Sequence, residues 1–398
     1  MTVNILFDQK RKPNVYPCTS YRYMQNYWSA RYRCILPLEF HHMHDLNIID
    51  IDDIASVDYF IYPVIMNEPY YVIREFINAD HPHGFWNKLN PKVIEKINEG
   101  KGKIFVAMNA EPPTNHDLLN LMTSMEQNNE NRIVFNINSS KYYKEDLFMT
   151  FPSWTEIFEF DRHILNNYTD TLATDNYNPL RITTGKRKYC LLNGRYIKHP
   201  AAVLLVSLLD KHDLLKDGYT FVDNKGETIT EDYEFTKQYF MGHNRLKDLK
   251  LEPLKHKNDL HEGTLILSEA FHKSWFNIVV EAYYTNYMLD WAYVTEKTWR
   301  CLKRNIPFVL IGQKYTLQQL HTLGYKTFSP FIDETYDSLE DDVRIIAAVR
   351  EIRKLCSMTH EELKELDEKC KPIYEHNHMN FKIRKQETSD YVRSLKAR

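Results

Sequence analysis

Glycine is scarce in this chain: 11 in 398 residues, beside 27 tyrosines and 20 phenylalanines. A glycine-rich phosphate cradle needs backbone that only glycine allows, and neither a G-x-G-x-x-G nor a Walker sequence occurs. Cysteine is sparse as well. Cys18, Cys34, Cys190, Cys301, Cys356 and Cys370 form no C-x-x-C pair and keep no regular spacing, which argues against zinc or a disulfide framework and for a reducing compartment. No run approaches the roughly 18 consecutive apolar residues of a membrane-spanning helix. The first thirteen residues pair a short apolar run with charges, the pattern of a first strand rather than a signal peptide. Charge of one sign is not in excess either: 51 Lys and Arg against 54 Asp and Glu leave −3, so no chain-wide basic field points to nucleic acid. A cytoplasmic protein with no membrane span is expected.

What is present suits a soluble globular protein: 43% of residues are hydrophobic and 26% charged. A chain of 398 residues exceeds one ordinary core, so two domains are expected. The organising stretch is Phe276 to Gly312. An apolar run, Phe276 to Val280, ends on Glu281; a polar, Tyr-rich linker follows; Tyr293-Val294-Thr295-Glu296-Lys297 then opens a helical pattern. Pro307 stops that pattern, and Phe308 to Ile311 reads as a buried strand ending at Gly312. Strand, loop, helix, strand is a βαβ unit of a parallel sheet. Such sheets bind ligands at the carboxyl ends of their strands, where helix N-termini offer free N–H groups. Glu281, Tyr293, Thr295, Glu296 and Lys297 gather there: the cation suits a diphosphate, the carboxylates suit ribose or sugar hydroxyls.

The order F-x-I-x-x-E, Y-V-T-E-K, P-F-V-L-I-G resembles the donor-binding signature of the α1,3-fucosyltransferase family of inverting glycosyltransferases. The match covers about a tenth of the chain. It departs from the family at Ala282, where Asn is usual, and at Arg304-Asn305, where a small-residue pair is usual. A second resemblance lies upstream. The apolar run Lys103 to Met108 leads into Asn109-Ala110-Glu111-Pro112-Pro113, and the family commonly places its proposed base in such a strand-end segment. The resemblance therefore gives Glu111 the role of deprotonating the acceptor hydroxyl, the task inverting transfer assigns to a carboxylate. A turn cap is the plainer role for Glu111, and Glu68, before Pro69, is the second candidate. By position alone, Arg195 would clamp the diphosphate beside His199, with a surface arginine as the bland alternative.

In chain order the strands expected are Val3 to Phe7, Tyr59 to Ile65, Lys103 to Met108, Arg132 to Phe135, Lys188 to Leu192, Thr264 to Ser268 and Tyr325 to Phe328. Helices are expected near Pro91 to Glu99, Pro200 to His212, Leu317 to Leu323, Asp341 to Leu355 and His360 to Lys369, and Gly218 to Lys250 reads as a hairpin and a helix. Asp50-Ile51-Asp52 reads as loop. Tyr16 to Arg33 interleaves aromatics with arginine, either a helix with a buried aromatic face or a stacking surface. His41, His42 and His44 read as surface. The tail, Phe381 to Arg398, is basic, either a solvated face or a nucleic-acid contact.

The sequence thus predicts an α/β protein of two Rossmann-like domains facing a cleft, the GT-B architecture. Residues 1–170 form the acceptor side, 186–345 bind the nucleotide sugar, and the C-terminal helices and basic tail, 346–398, pack back. The expected activity is metal-independent inverting transfer from a nucleotide-diphosphate sugar to a glycan or to a hydroxymethylated base of phage DNA. No cofactor is tightly bound. The alternative is a nucleotide-binding or interaction protein without catalysis.

Overall fold

The computed structural model describes residues 3–7, 46–66, 90–108, 132–136, 148–149, 187–193, 200–222, 252–253, 273–285 and 292–395. It is a mixed α/β structure with two parallel sheets, and the chain divides into two units. One unit comprises residues 1–165, 288–290 and 381–398, the other 166–287 and 291–380.

The first unit holds a six-stranded sheet ordered β2-β1-β3-β4-β5-β6, from β1 (Val3–Phe7), β2 (Leu46–Asp50), β3 (Phe60–Met66), β4 (Gly102–Met108), β5 (Ile133–Asn136) and β6 (Phe148–Met149). Pairing is parallel throughout, and α1 (Pro91–Asn98) leads into β4. Asn90 caps α1 through the Lys92 amide and Pro91 fills its first turn, where no donor is lost. β2 corrects the sequence reading. Asp50 closes a strand instead of lying in a loop, and its Oδ1 accepts from the Asp52 amide at 3.0 Å to start a 3-10 turn, Ile51–Ser56.

The second unit holds a five-stranded sheet ordered β11-β10-β7-β8-β9, from β7 (Arg187–Asn193), β8 (Gly218–Val222), β9 (Glu252–Pro253), β10 (Ser274–Val280) and β11 (Phe308–Ile311). β8 pairs parallel with β7, so Gly218 opens a crossover strand and not a hairpin. Between β7 and β8 runs α2 (Pro200–Lys211), apolar enough to bury Ala201, Leu205, Val206 and Leu209. Among the described residues five further helices follow: α3 (Glu296–Lys303), α4 (Thr316–Thr322), α5 (Asp341–Ser357), α6 (His360–Lys369) and α7 (Lys371–Ser394). Among the described residues none is long and apolar enough to cross a membrane.

Two helix ends show how local chemistry sets the frame. α3 stops because Asn305 adopts φ 57°, with Ile306 N bonded to Cys301 O at 3.0 Å; asparagine tolerates this left-handed geometry, so Arg304-Asn305 serves where a small pair was expected. α4 stops the same way at Gly324, φ 85°. The segment after it, Tyr325 to Phe328, is not the strand its composition suggested. Both Lys326 backbone groups are taken by the Asn377 side chain, at 2.7 and 2.8 Å, in place of a neighbouring strand.

The basic tail is only partly a solvated face among the described residues. Within the first unit, Tyr391, Val392 and Leu395 pack against Val3, Ile5, Ile61, Phe105 and Val134, and the Tyr59 hydroxyl donates to Leu395 O at 3.0 Å. Arg384 is buried, and Arg393 pairs with Asp390 at 3.0 Å. This end of α7 therefore buries one face in the core of the unit, while Lys382 stays exposed.

Candidate functional site

Every residue of β10 is buried, as a central parallel strand requires, and the strand delivers Glu281 at its carboxyl end with only 2% exposure. A carboxylate so deep must be hydrogen-bonded. Glu281 is. Its Oε1 accepts from the Thr295 amide at 3.1 Å and from the Thr298 hydroxyl, and its Oε2 accepts from the Thr295 hydroxyl. Thr295 and Thr298 are the N-cap of α3 and the residue three positions on, so they share one face of its first turn. Thr295 Oγ1 also accepts from the Lys297 amide at 3.4 Å and from Lys297 Nζ at 3.2 Å. The chain's own groups thus bond the carboxylate that its place at the strand end suited to ligand hydroxyls. Glu281 fixes where α3 begins.

Beside it, β11 pairs in register with β10, Asn277 with Phe308 through Val280 with Ile311, and Glu281 N donates to Ile311 O at 2.8 Å. Gly312 follows because a Cβ there would meet Thr316 Oγ1 at 2.9 Å and Glu281 Cγ at 3.5 Å. Gln313, 1% exposed, accepts from the Tyr293 amide through Oε1 at 2.8 Å, while its buried Nε2 has no hydrogen-bond partner among the described residues. Gln319 Oε1 accepts from the Ala292 amide at 3.0 Å. Tyr293 is buried, its ring edge-on to Tyr283 with centroids 5.9 Å apart.

The neighbouring helix start is already filled. Asp337 Oδ2 accepts from the Leu317 and Gln318 amides at 3.0 and 3.2 Å, supplying the negative charge that the N-terminus of α4 favours. Burial nevertheless pushes the Asp337 carboxyl up to about 6 against the pull of those amides. Arg344, 1% exposed on α5, donates from Nε to Gly312 O at 3.0 Å, from Nη1 to Leu339 O at 2.6 Å, and from Nη2 to Tyr284 O.

The structure therefore brings together Glu281, Tyr293, Thr295 and Lys297, with Glu296 as the first residue of α3. Lys297 is the half-buried cation of the group, where the other three are buried. Arg195, Glu111 and Glu68 lie outside the described residues, as do His199, Tyr16 to Arg33, His41 to His44 and Thr264 to Ser268. Sequence reasoning missed Thr298, Gln313, Asp337 and Arg344. Only Thr298 left a signal, standing three residues after the N-cap threonine. Among the described residues no group of three or more His, Cys, Asp or Glu is arranged to hold a metal. Cys190 and Cys301 are buried thiols, both pushed up by burial, and inert for that reason. No protein-family model, no curated protein and no solved structure matches the chain.

Proposed function

We propose that the chain is a glycosyltransferase that moves a sugar from a nucleotide-diphosphate sugar to an acceptor hydroxyl with inversion, built from two Rossmann-like domains in the GT-B manner. The observation that carries this reading is the head of α3. A helix start with Lys297 in its first turn stands at the carboxyl ends of two parallel strands, on a buried Glu281-Thr295-Thr298 cluster that fixes its position. Helix amides and an ammonium suit a departing diphosphate, and charge met by preorganised groups is the largest lever on such a transition state. Glu296 then orients ribose or sugar hydroxyls. Arg195 supplies a second cation, and Glu111 takes the acceptor proton, with Glu68 in reserve.

The acceptor is a glycan or a hydroxymethylated base of DNA. The basic tail lends DNA less than its composition implied, because Arg384 is buried and Arg393 is paired. A glycan is therefore the acceptor to try first.

The test is a thermal melt with ADP, GDP, UDP and CDP, without metal and again with Mg²⁺. A bound diphosphate at a hundredfold excess over Kd stabilises by about 2.7 kcal/mol. No shift with any of the four ends the donor-site reading. With a donor in hand, Glu111→Gln should leave nucleotide affinity near wild type and cut turnover roughly 10²- to 10⁴-fold. Unchanged function on that substitution favours a nucleotide-binding protein without catalysis.

A further inference from the structure

We infer that Arg344 is a positioning residue for the head of α3: it touches no ligand, and it holds the linker between β10 and α3 to the end of β11. Its ligand arm rests on the nucleotide-diphosphate reading above. Three backbone carbonyls from three places converge on one guanidinium: Gly312 O at the end of β11, Leu339 O before α5, and Tyr284 O just beyond β10. Nη2 also reaches Asp341 Oδ1 at 3.4 Å. The planar fork donates along several fixed directions at once, which a lysine ammonium cannot reproduce.

Docking of α5 does not require this arginine. Ile345, Ala348, Val349, Ile352 and Leu355 of the same helix are at most 2% exposed and already form its apolar face. Burying a guanidinium against carbonyls costs desolvation that an apolar side chain of similar volume would avoid. What the arginine adds is the placement of Tyr284. Its neighbour Tyr283 meets the Tyr293 ring edge-on, and two residues after Tyr293 stands Thr295, the cap that carries Lys297. The other foot of the linker is held at Ala292 and Tyr293 by Gln319 and Gln313. Both feet are thus tied by side chains that lie outside the ligand-facing set.

The experiment compares wild type, Arg344→Met and Arg344→Lys by amide hydrogen exchange over 281–285 and 292–297. The same proteins are titrated with inorganic pyrophosphate and with ADP, GDP, UDP and CDP. In Arg344→Met, exchange should quicken in both segments while α5 keeps its protection, and the tightest diphosphate should weaken roughly 3- to 30-fold, the range for a residue coupled to a site without touching it. Arg344→Lys, which can keep a carbonyl bond, should fall between and stands in if the Met variant does not fold. Wild-type exchange in both segments overturns the proposal. So does faster exchange with unchanged affinity, which would leave Arg344 a purely structural residue. If wild type binds none of the probes, the nucleotide reading fails on its own, and the exchange arm still decides whether Arg344 holds the linker.

Discussion

Replacing Glu334 by glutamine should make the protein more stable at alkaline pH. Glu334 opens a 3-10 turn, Glu334–Ser338, and its carboxylate accepts from the Thr327 hydroxyl and from the Phe328 amide at 2.9 Å. Thr327 Oγ1 also lies 2.7 Å from His321 Nε2, a hydrogen bond whose direction follows the imidazole tautomer. Burial outweighs these donors and, with Asp337 adding repulsion, pushes the Glu334 carboxyl from 4.5 up to about 7. The native state therefore holds a proton that the unfolded chain releases near 4.5. Stability from this group is intact at low pH and is lost as pH rises from about 4.5 to about 7. At 1.36 kcal/mol per pH unit the full loss is about 3 kcal/mol, of which about 2.5 falls between pH 5 and pH 8.

Glutamine keeps the shape and an acceptor for Phe328, and removes the titration. Asp337, Tyr336, Glu351 and His321, the ionisable groups around this turn, remain in both proteins and largely cancel in the difference. Urea unfolding followed by tryptophan fluorescence at pH 5, 6, 7 and 8 gives the comparison. Wild type should lose stability relative to Glu334→Gln across the series and fall below it by pH 8. Parallel pH dependences would refute the argument, since they would mean that Glu334 is ionised in the native state at every pH tested.

Glu281→Gln converts an acceptor of three hydrogen bonds into a group with one acceptor oxygen, so it should cost about 1–3 kcal/mol of stability for each donor stranded, read as a lower urea midpoint. Lys297→Ala should leave that midpoint near wild type and weaken a bound nucleoside diphosphate by roughly 1.5–3 kcal/mol, measured by isothermal titration. Gly218→Ala would put a Cβ 2.2 Å from the Tyr189 ring, and Tyr189 is fully buried, so overpacking should cost about 1–3 kcal/mol, seen as a lower melting temperature.

Strands whose apolar runs were continuous could be read from sequence: Val3–Phe7, Phe60–Met66, Gly102–Met108, Arg187–Asn193 and Ser274–Val280 all coincide with such runs. β2 was not legible, because Leu46–Asp50 is short and bounded by acids, and its strand character comes from pairing with β1, Val3 with Leu46 through Phe7 with Asp50. Tyr325 to Phe328 failed in the opposite sense. Its composition suits a strand, but a strand needs a neighbouring backbone, and here a single asparagine on α7 takes both Lys326 groups. In the tail, arginines and lysines dominate the composition, while Phe381, Tyr391, Val392 and Leu395 set which face is buried, and Lys382 stays on the exposed side.

The site was legible as a place and less so as a set of roles. A strand-end acid followed by T-E-K marks the carboxyl edge of a parallel sheet, but which way that acid spends its charge depends on the helix brought beside it. Here α3 brings hydroxyls at positions 295 and 298, and Glu281 sinks beneath the helix start to take both. That arrangement has an electrostatic consequence. The N-terminus of a helix carries roughly half a positive charge, and Glu281, bonded to the Thr295 amide, already answers part of it from below. Under the proposed function, a diphosphate would draw less on the helix than on cations placed on the ligand side: Lys297 is the one the first turn supplies, and a second cation, the role proposed for Arg195, would complete the charge balance.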